Sequence, residues 1–210
     1  MGDDGTVGLV DNDVVAKLAV CGLLERLAPT VGLDHICVRG AMRYQMVIKP
    51  TRSWRGRLND SAREGVRAFL EQCHEIPDVS TDFVSRCVEA DIDPGEAMLL
   101  DVARTDPNSV LITGDKNFLR DLRRSAPLWS DVQHMRGQIV CFEQVLRGLI
   151  EIHGFAEICE CVQPLCEQDS GVRMVFGPTS EVNPERRCVE GLESGIGEVE
   201  SVIAHMLRPV

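Results

Sequence analysis

An α/β fold, with a parallel sheet covered by helices on both faces, is the class this sequence predicts, and three observations predict it. Short apolar runs rich in β-branched residues alternate with longer stretches of helical period. Two of those runs, V-G-L-V-D-N-D-V-V and S-V-L-I-T-G-D-K-N-F, end on acids, Asp11 with Asp13 and Asp115, about a hundred residues apart. The chain has 210 residues, 44% of them apolar and 26% charged, enough for one full core and a small appendage. Strands alternating with helices imply βαβ units, whose crossovers favour a parallel sheet.

Each element follows from local pattern. Residues 7–11 read as a buried strand bounded by Gly8 and Asp11. Asn12 or Asp13 is expected to cap a helix carrying Val14, Val15, Leu18, Cys21, Leu24 and Leu27 before Pro29. A second amphipathic segment spans about 34–47. Residues 49–58, K-P-T-R-S-W-R-G-R-L, lack a clean period and read as a mobile basic loop. Ser61 opens a helix with Val66, Phe69, Leu70 and Cys73 on one side, and E-I-P-D-V-S leads into another near 82–90. Pro94 suits the first turn of a helix that carries Glu96 and stops near Pro107. Val110 to Thr113 is a strand, with Asp115 at its turn into a helix of Phe118, Leu119 and Leu122. Gln138 to Phe142 forms the last core strand, followed by a helix of Val145, Leu146, Leu149 and Ile150. Residues 155–210 read as an α+β appendage packed on a 1–154 core, with a turn around 176–184 and a helix from Pro184 to Leu207.

Composition excludes several classes. No apolar run approaches the roughly 20 residues needed to span a bilayer. The start, M-G-D-D-G-T, lacks the basic and apolar regions of a secretory signal, so a cytoplasmic protein is expected. The nine cysteines are odd in number, which argues against a disulfide framework. Cys159, Cys161 and Cys166 lack the paired C-x2-C spacing of a structural zinc site, and the cysteines read mostly as small buried hydrophobes. The five histidines form no H-x3-H or H-x-H pair.

Net charge is −11, unevenly spread. Residues 39–67 sum to +6 through Arg39, Arg43, Lys49, Arg52, Arg55, Arg57, Arg63 and Arg67, whereas 68–115 sum to −9 and 151–210 to −7. A basic segment beside an acidic site suits a metal-dependent nuclease, with cations holding phosphates and carboxylates holding metal. A solvated charged face gives the same pattern. Trp54, between Ser53 and Arg55, is the aromatic best placed to stack on a base.

Strand-end carboxylates in parallel sheets converge in one crevice. There they repel unless a cation neutralises them, and an oxygen-rich cluster suits Mg²⁺ or Mn²⁺. Each acid also has a plainer role: Asp11, Asp13 and Asp115 as caps, and Glu96 as a first-turn acid favoured by the helix dipole. All three sites in this order point instead to a shared metal.

The order L-V-D-N-D, D-P-G-E-A-M-L-L, L-I-T-G-D-K-N-F resembles the PIN-domain nucleases over roughly residues 7–150. The resemblance implies a three-layer α/β/α sandwich with a four- or five-stranded parallel sheet. It also implies Mg²⁺- or Mn²⁺-dependent cleavage of RNA. Asp11, Glu96 and Asp115 match the family's metal-binding, catalytic acids. Asp13 is a supporting residue that orients a ligand, and Thr113 holds Asp115, touches substrate, or is simply a β-branched strand residue. The family often carries a fourth acid two or three residues past the third; here Lys116 and Asn117 follow, and Asp121 lies a turn further. That departure weakens a second metal position. Lys116 joins the basic segment as an RNA contact. Free-standing members are often toxins held by an antitoxin, so RNA, an antitoxin-like protein and a second copy of the chain are the implied partners.

Two rivals remain. Asp11-x-Asp13 after a strand also opens haloacid dehalogenase-like phosphatases, but D-P-G-E-A has no place in that scheme. A degraded domain retained as a scaffold is the other.

Overall fold

The computed structural model describes residues 5–77, 79–178 and 182–210, without the side chains of Arg52, Ser53, Arg55 and Ala204. Its centre is β1 (Val7–Val10), a run of apolar residues that must bury both faces. It pairs in parallel with β2 (His35–Val38) on one side and β4 (Ser109–Thr113) on the other. β3 (His74–Glu75) extends β2 and β5 (Ile139–Cys141) extends β4, giving five parallel strands in the order β3-β2-β1-β4-β5. Helices cover both faces, as expected for a three-layer α/β/α sandwich.

One core layer gathers Val14, Val15 and Leu18 of α1 (Asn12–Val20), Val66 and Phe69 of α5 (Asp60–Gln72), and Val145 and Leu149 of α10 (Phe142–His153). The opposite layer gathers Phe83 of α6 (Thr81–Glu89), Leu99 and Leu100 of α7 (Pro94–Thr105), and Phe118 and Leu122 of α8 (Lys116–Arg124). Six of the nine cysteines are buried and all nine are free, in line with their reading as apolar filler. No helix among the described residues is long and apolar enough to cross a membrane.

Several local expectations need correction. Of the candidate caps Asp11, Asn12 and Asp13, it is Asp11 that caps α1, its Oδ2 accepting from the Asp13 amide at 3.2 Å. The helix stops at Cys21 because Gly22 turns left-handed at φ 67. Leu27 therefore belongs to a separate short helix, α2 (Leu27–Val31), whose opening turn accommodates Pro29. The segment 34–47 divides into β2 and a helical stretch, Ala41–Arg43 (α3) running into a π-helical turn at Tyr44–Ile48. The expected basic loop contains α4 (Arg52–Arg57). Trp54 and Leu58, one turn apart, both pack against the core there, an i, i+4 apolar pair that holds the turn. A further helix, α9 (Ala126–Val132), buries Leu128 and Val132.

The segment after Gly154 forms α11 (Phe155–Cys166), α12 (Ser170–Phe176) and α13 (Pro184–Ile203). Its only β feature among the described residues is a bridge from Leu207 to Ile139 at the β5 edge. The turn expected over 176–184 lies partly outside the described residues. Cys188 and Leu192 of α13 join one core layer and Val199 and Ile203 join the other, so this helix wraps the sheet's edge. Ile203 is 1% exposed, and Ile203→Ala is expected to cost about 2–5 kcal/mol in urea denaturation. A loss below about 1 kcal/mol would show that 155–210 does not share the core.

Candidate functional site

The chain leaves β1 toward one face of the sheet and leaves β4 toward the other, since α1 and α8 lie in opposite core layers. Adjacent strands whose connections diverge in this way open a crevice at their carboxyl ends. Asp11 closes β1 and its amide still bonds to the Ile112 carbonyl of β4 at 3.1 Å. Asp115 lies two residues beyond β4. Both therefore stand at the mouth of that crevice, and Glu96 reaches it from the first turn of α7. The three carboxylates line one cleft of about 850 Å³.

Each acid is held by its own element. Asp115 caps α8, its Oδ1 accepting from the amides of Asn117 (2.7 Å) and Phe118 (3.1 Å). Thr113, 1% exposed, accepts from the Asp115 amide at 3.1 Å through Oγ1, so it fixes that acid's backbone as well as filling the strand. Asp93 caps α7 by accepting from Gly95 at 2.7 Å, with Pro94 pre-set in the opening turn. Glu96, 8% exposed, has its pKa pushed up to about 9 by burial, then by the charges of Asp115, Asp11 and Asp93; Arg39 opposes the shift. Asp11 is raised in the same sense, chiefly by burial. Glu96 thus feels the charges of the two other, separately anchored acids.

The supporting residues divide. Asp13 lines the cleft and binds two cations, Lys17 at 2.8 Å and Arg57 at 2.8 Å. Asn117 lines it as well and accepts from Arg120 at 2.9 Å. Asp121 does not line the cleft and pairs with Arg124 at 3.0 Å. Of the expected RNA contacts, Lys116 lines the cleft. Arg57 is tied to Asp13 and stacks on Trp54, whose ring is partly buried against the core. Arg43 and Lys49 are exposed on the stretch after β2. The side chains of Arg52 and Arg55 lie outside the described residues. Arg39, directly after β2, lies against the start of α7, where a Cβ at Gly95 would collide with its guanidinium. Its Nε is buried without a hydrogen-bond partner. It is part of the acid centre's charge balance more than of an exposed basic face.

All-oxygen donors from three elements are the chemistry a hard divalent ion selects. Among the described residues, however, no three acids, histidines or cysteines are drawn close enough to hold a metal as they stand. The two observations are compatible. The three carboxylates share a cleft without forming a ligating cluster, and a bound cation would require their side chains to rotate together. An all-oxygen donor set is one that Mg²⁺ or Mn²⁺ would suit, and Asp11, Glu96 and Asp115 are the residues that could hold such an ion.

No family model, curated protein or solved structure matches this chain. The site's chemistry therefore rests on its own residues.

Pattern reading missed Lys17, Arg120, Glu143, Asp169 and Glu198, which all line the same cleft. Lys17 follows Asp13 by four residues and Arg120 follows Lys116 by four, so helical spacing could have exposed both. Asp169 and Glu198 arrive by tertiary packing and leave no local signal.

Proposed function

We propose that this protein is a Mg²⁺- or Mn²⁺-dependent nuclease that hydrolyses RNA phosphodiester bonds. The observation that supports it best is the convergence of Asp11, Glu96 and Asp115 in one cleft, with Glu96's pKa raised by burial and by the other two charges. Glu96 also favours this reading over a dehalogenase-type phosphatase, which has no task for a third acid from the D-P-G-E-A helix. When bound, the metal would stabilise charge growing on the phosphate oxygens and make water a better nucleophile at neutral pH.

The chain's own residues have distinct parts in this scheme. Asp11, Glu96 and Asp115 would hold the cation and set its place. Thr113 and the first amides of α8 fix Asp115, so that one carboxylate oxygen stays turned from the helix. Asp13 spans Lys17 and Arg57 and keeps the floor rigid beside the ligands. Lys116, next to Asp115, supplies positive charge for the phosphate. With Mn²⁺ and mixed-sequence RNA, Asp115→Asn is expected to lower the cleavage rate about 100-fold or more. Loss of metal stabilisation is worth several kcal/mol, at about 1.4 kcal/mol per tenfold. Equal cutting by both proteins would reject the assignment.

A further inference from the structure

The cations that line the acid cleft are already occupied, and the segment 155–210 supplies part of what occupies them. Lys17 Nζ lies 2.8 Å from Asp13 Oδ2 and 2.9 Å from Asp169 Oδ2. Lys116 Nζ lies 2.8 Å from Glu143 Oε1 and 3.0 Å from Glu198 Oε2, and Arg120 holds the other oxygen of Glu198. Glu198 thus presents two oxygens to two cations beside Asp115, as a phosphate group would.

The two C-terminal acids differ in how firmly they are held. The Lys17–Asp169 pair is sheltered, at 11% and 19% side-chain exposure, and Lys17 also lies over the Phe142 ring at 5.0 Å. Asp169 further caps α12 by accepting from Val172 at 3.0 Å. This pair fastens the helix to the core. Glu198 is 48% exposed, so its pairs are screened and weak. Its helix is anchored by Val199 and Ile203 in the core. About half of the Glu198 side chain faces solvent, which leaves it room to turn. Its side chain can turn away without moving α13.

We propose that Glu198 is an autoinhibitory gate: it takes the phosphate position on Lys116 and Arg120 and must leave before an RNA backbone can be held there. The inference rests on the RNA-cleaving reading. It assigns Lys116 and Arg120 as the phosphate-holding pair and gives α13 a regulatory part in access to the acids.

Glu198→Gln preserves size and removes the competing charge, so the test separates gating from fastening. Binding of a fluorescein-labelled 20-nucleotide mixed-sequence RNA is measured by anisotropy in Asp115→Asn protein, with and without Glu198→Gln. The gate predicts binding about three- to tenfold tighter with the added change. In otherwise native protein, it predicts a lower KM for cleavage at nearly unchanged kcat. Asp169→Asn, removing a fastening pair, should lower the melting temperature without tightening binding. Unchanged or weaker RNA binding by the Glu198→Gln protein overturns the gate, as does an absence of binding to either protein. Asp115-independent cutting would instead overturn the nuclease reading, so the two failures are distinct.

Discussion

Glu96→Gln is expected to make the metal-free protein more stable at neutral and alkaline pH while abolishing metal-dependent cleavage. Glu96 has its pKa raised to about 9 by burial and by the charges of Asp115 and Asp11. A glutamate whose folded pKa is raised holds its proton more tightly in the native state than in the unfolded chain. Its contribution is therefore fully present below the ordinary glutamate range and is lost as pH rises toward 9. The slope is at most about 1.4 kcal/mol per pH unit, so up to ~3 kcal/mol has gone by pH 7. Asp11 shifts in the same direction and adds to the trend. The thiols of Cys21, Cys73 and Cys141, pushed up to about 12 by burial, act only above their ordinary range. Urea midpoints in EDTA at pH 5.5, 7 and 8.5 should fall steeply for the native chain and much less for Glu96→Gln. Parallel curves would mean that Glu96 does not carry this strain. Such a gain in stability on losing a functional acid is the usual trade at sites built for charge.

The second large effect is stabilisation by the divalent ion. An ion that binds only the folded state adds about 2.7 kcal/mol at a hundred times its dissociation constant. For a chain of this size that is roughly 5–10 °C in melting temperature. Because Glu96 must lose its proton to act as a ligand, the shift should grow between pH 6 and 8.5, opposite to the metal-free trend. EDTA should reverse it, and Asp115→Asn should nearly remove it. A scaffold that had lost its site would give no Mn²⁺-dependent shift at any pH, and thermal melts would show this directly.

The acids were readable in the sequence because each carries a local signal. Asp11 and Asp115 end short buried runs, and Glu96 follows a proline that can only open a helix. The parallel sheet was readable for the same reason, since β1 and β4 are apolar and bounded by turns. β2 was not. It opens on His35, and its short apolar run continues within three residues into the helical stretch at Ala41–Arg43, so no turn marked it off as a strand. α4 was hidden because its inward Trp54 and the Leu58 that closes it lie among arginines that dominate the composition. The far wall of the cleft was beyond local reading altogether. Gly191, Gly195 and Glu198 line the same cleft as Asp115 only because α13 wraps the sheet's edge, which brings together residues some eighty positions apart. The basic segment divides, with Arg43 and Lys49 exposed and two other arginines turned to the site. Those two, Arg57 and Arg39, balance acids there.

The most direct measurement is a calorimetric titration of Mn²⁺ at pH 7, in two buffers of different ionisation enthalpy, for the native chain and for Glu96→Gln. Saturable binding to the native protein with release of about one proton per ion, and binding at least tenfold weaker with no proton released by Glu96→Gln, is the predicted result. No binding heat for the native chain, or equal affinity in both proteins, would contradict a metal centre built from Asp11, Glu96 and Asp115.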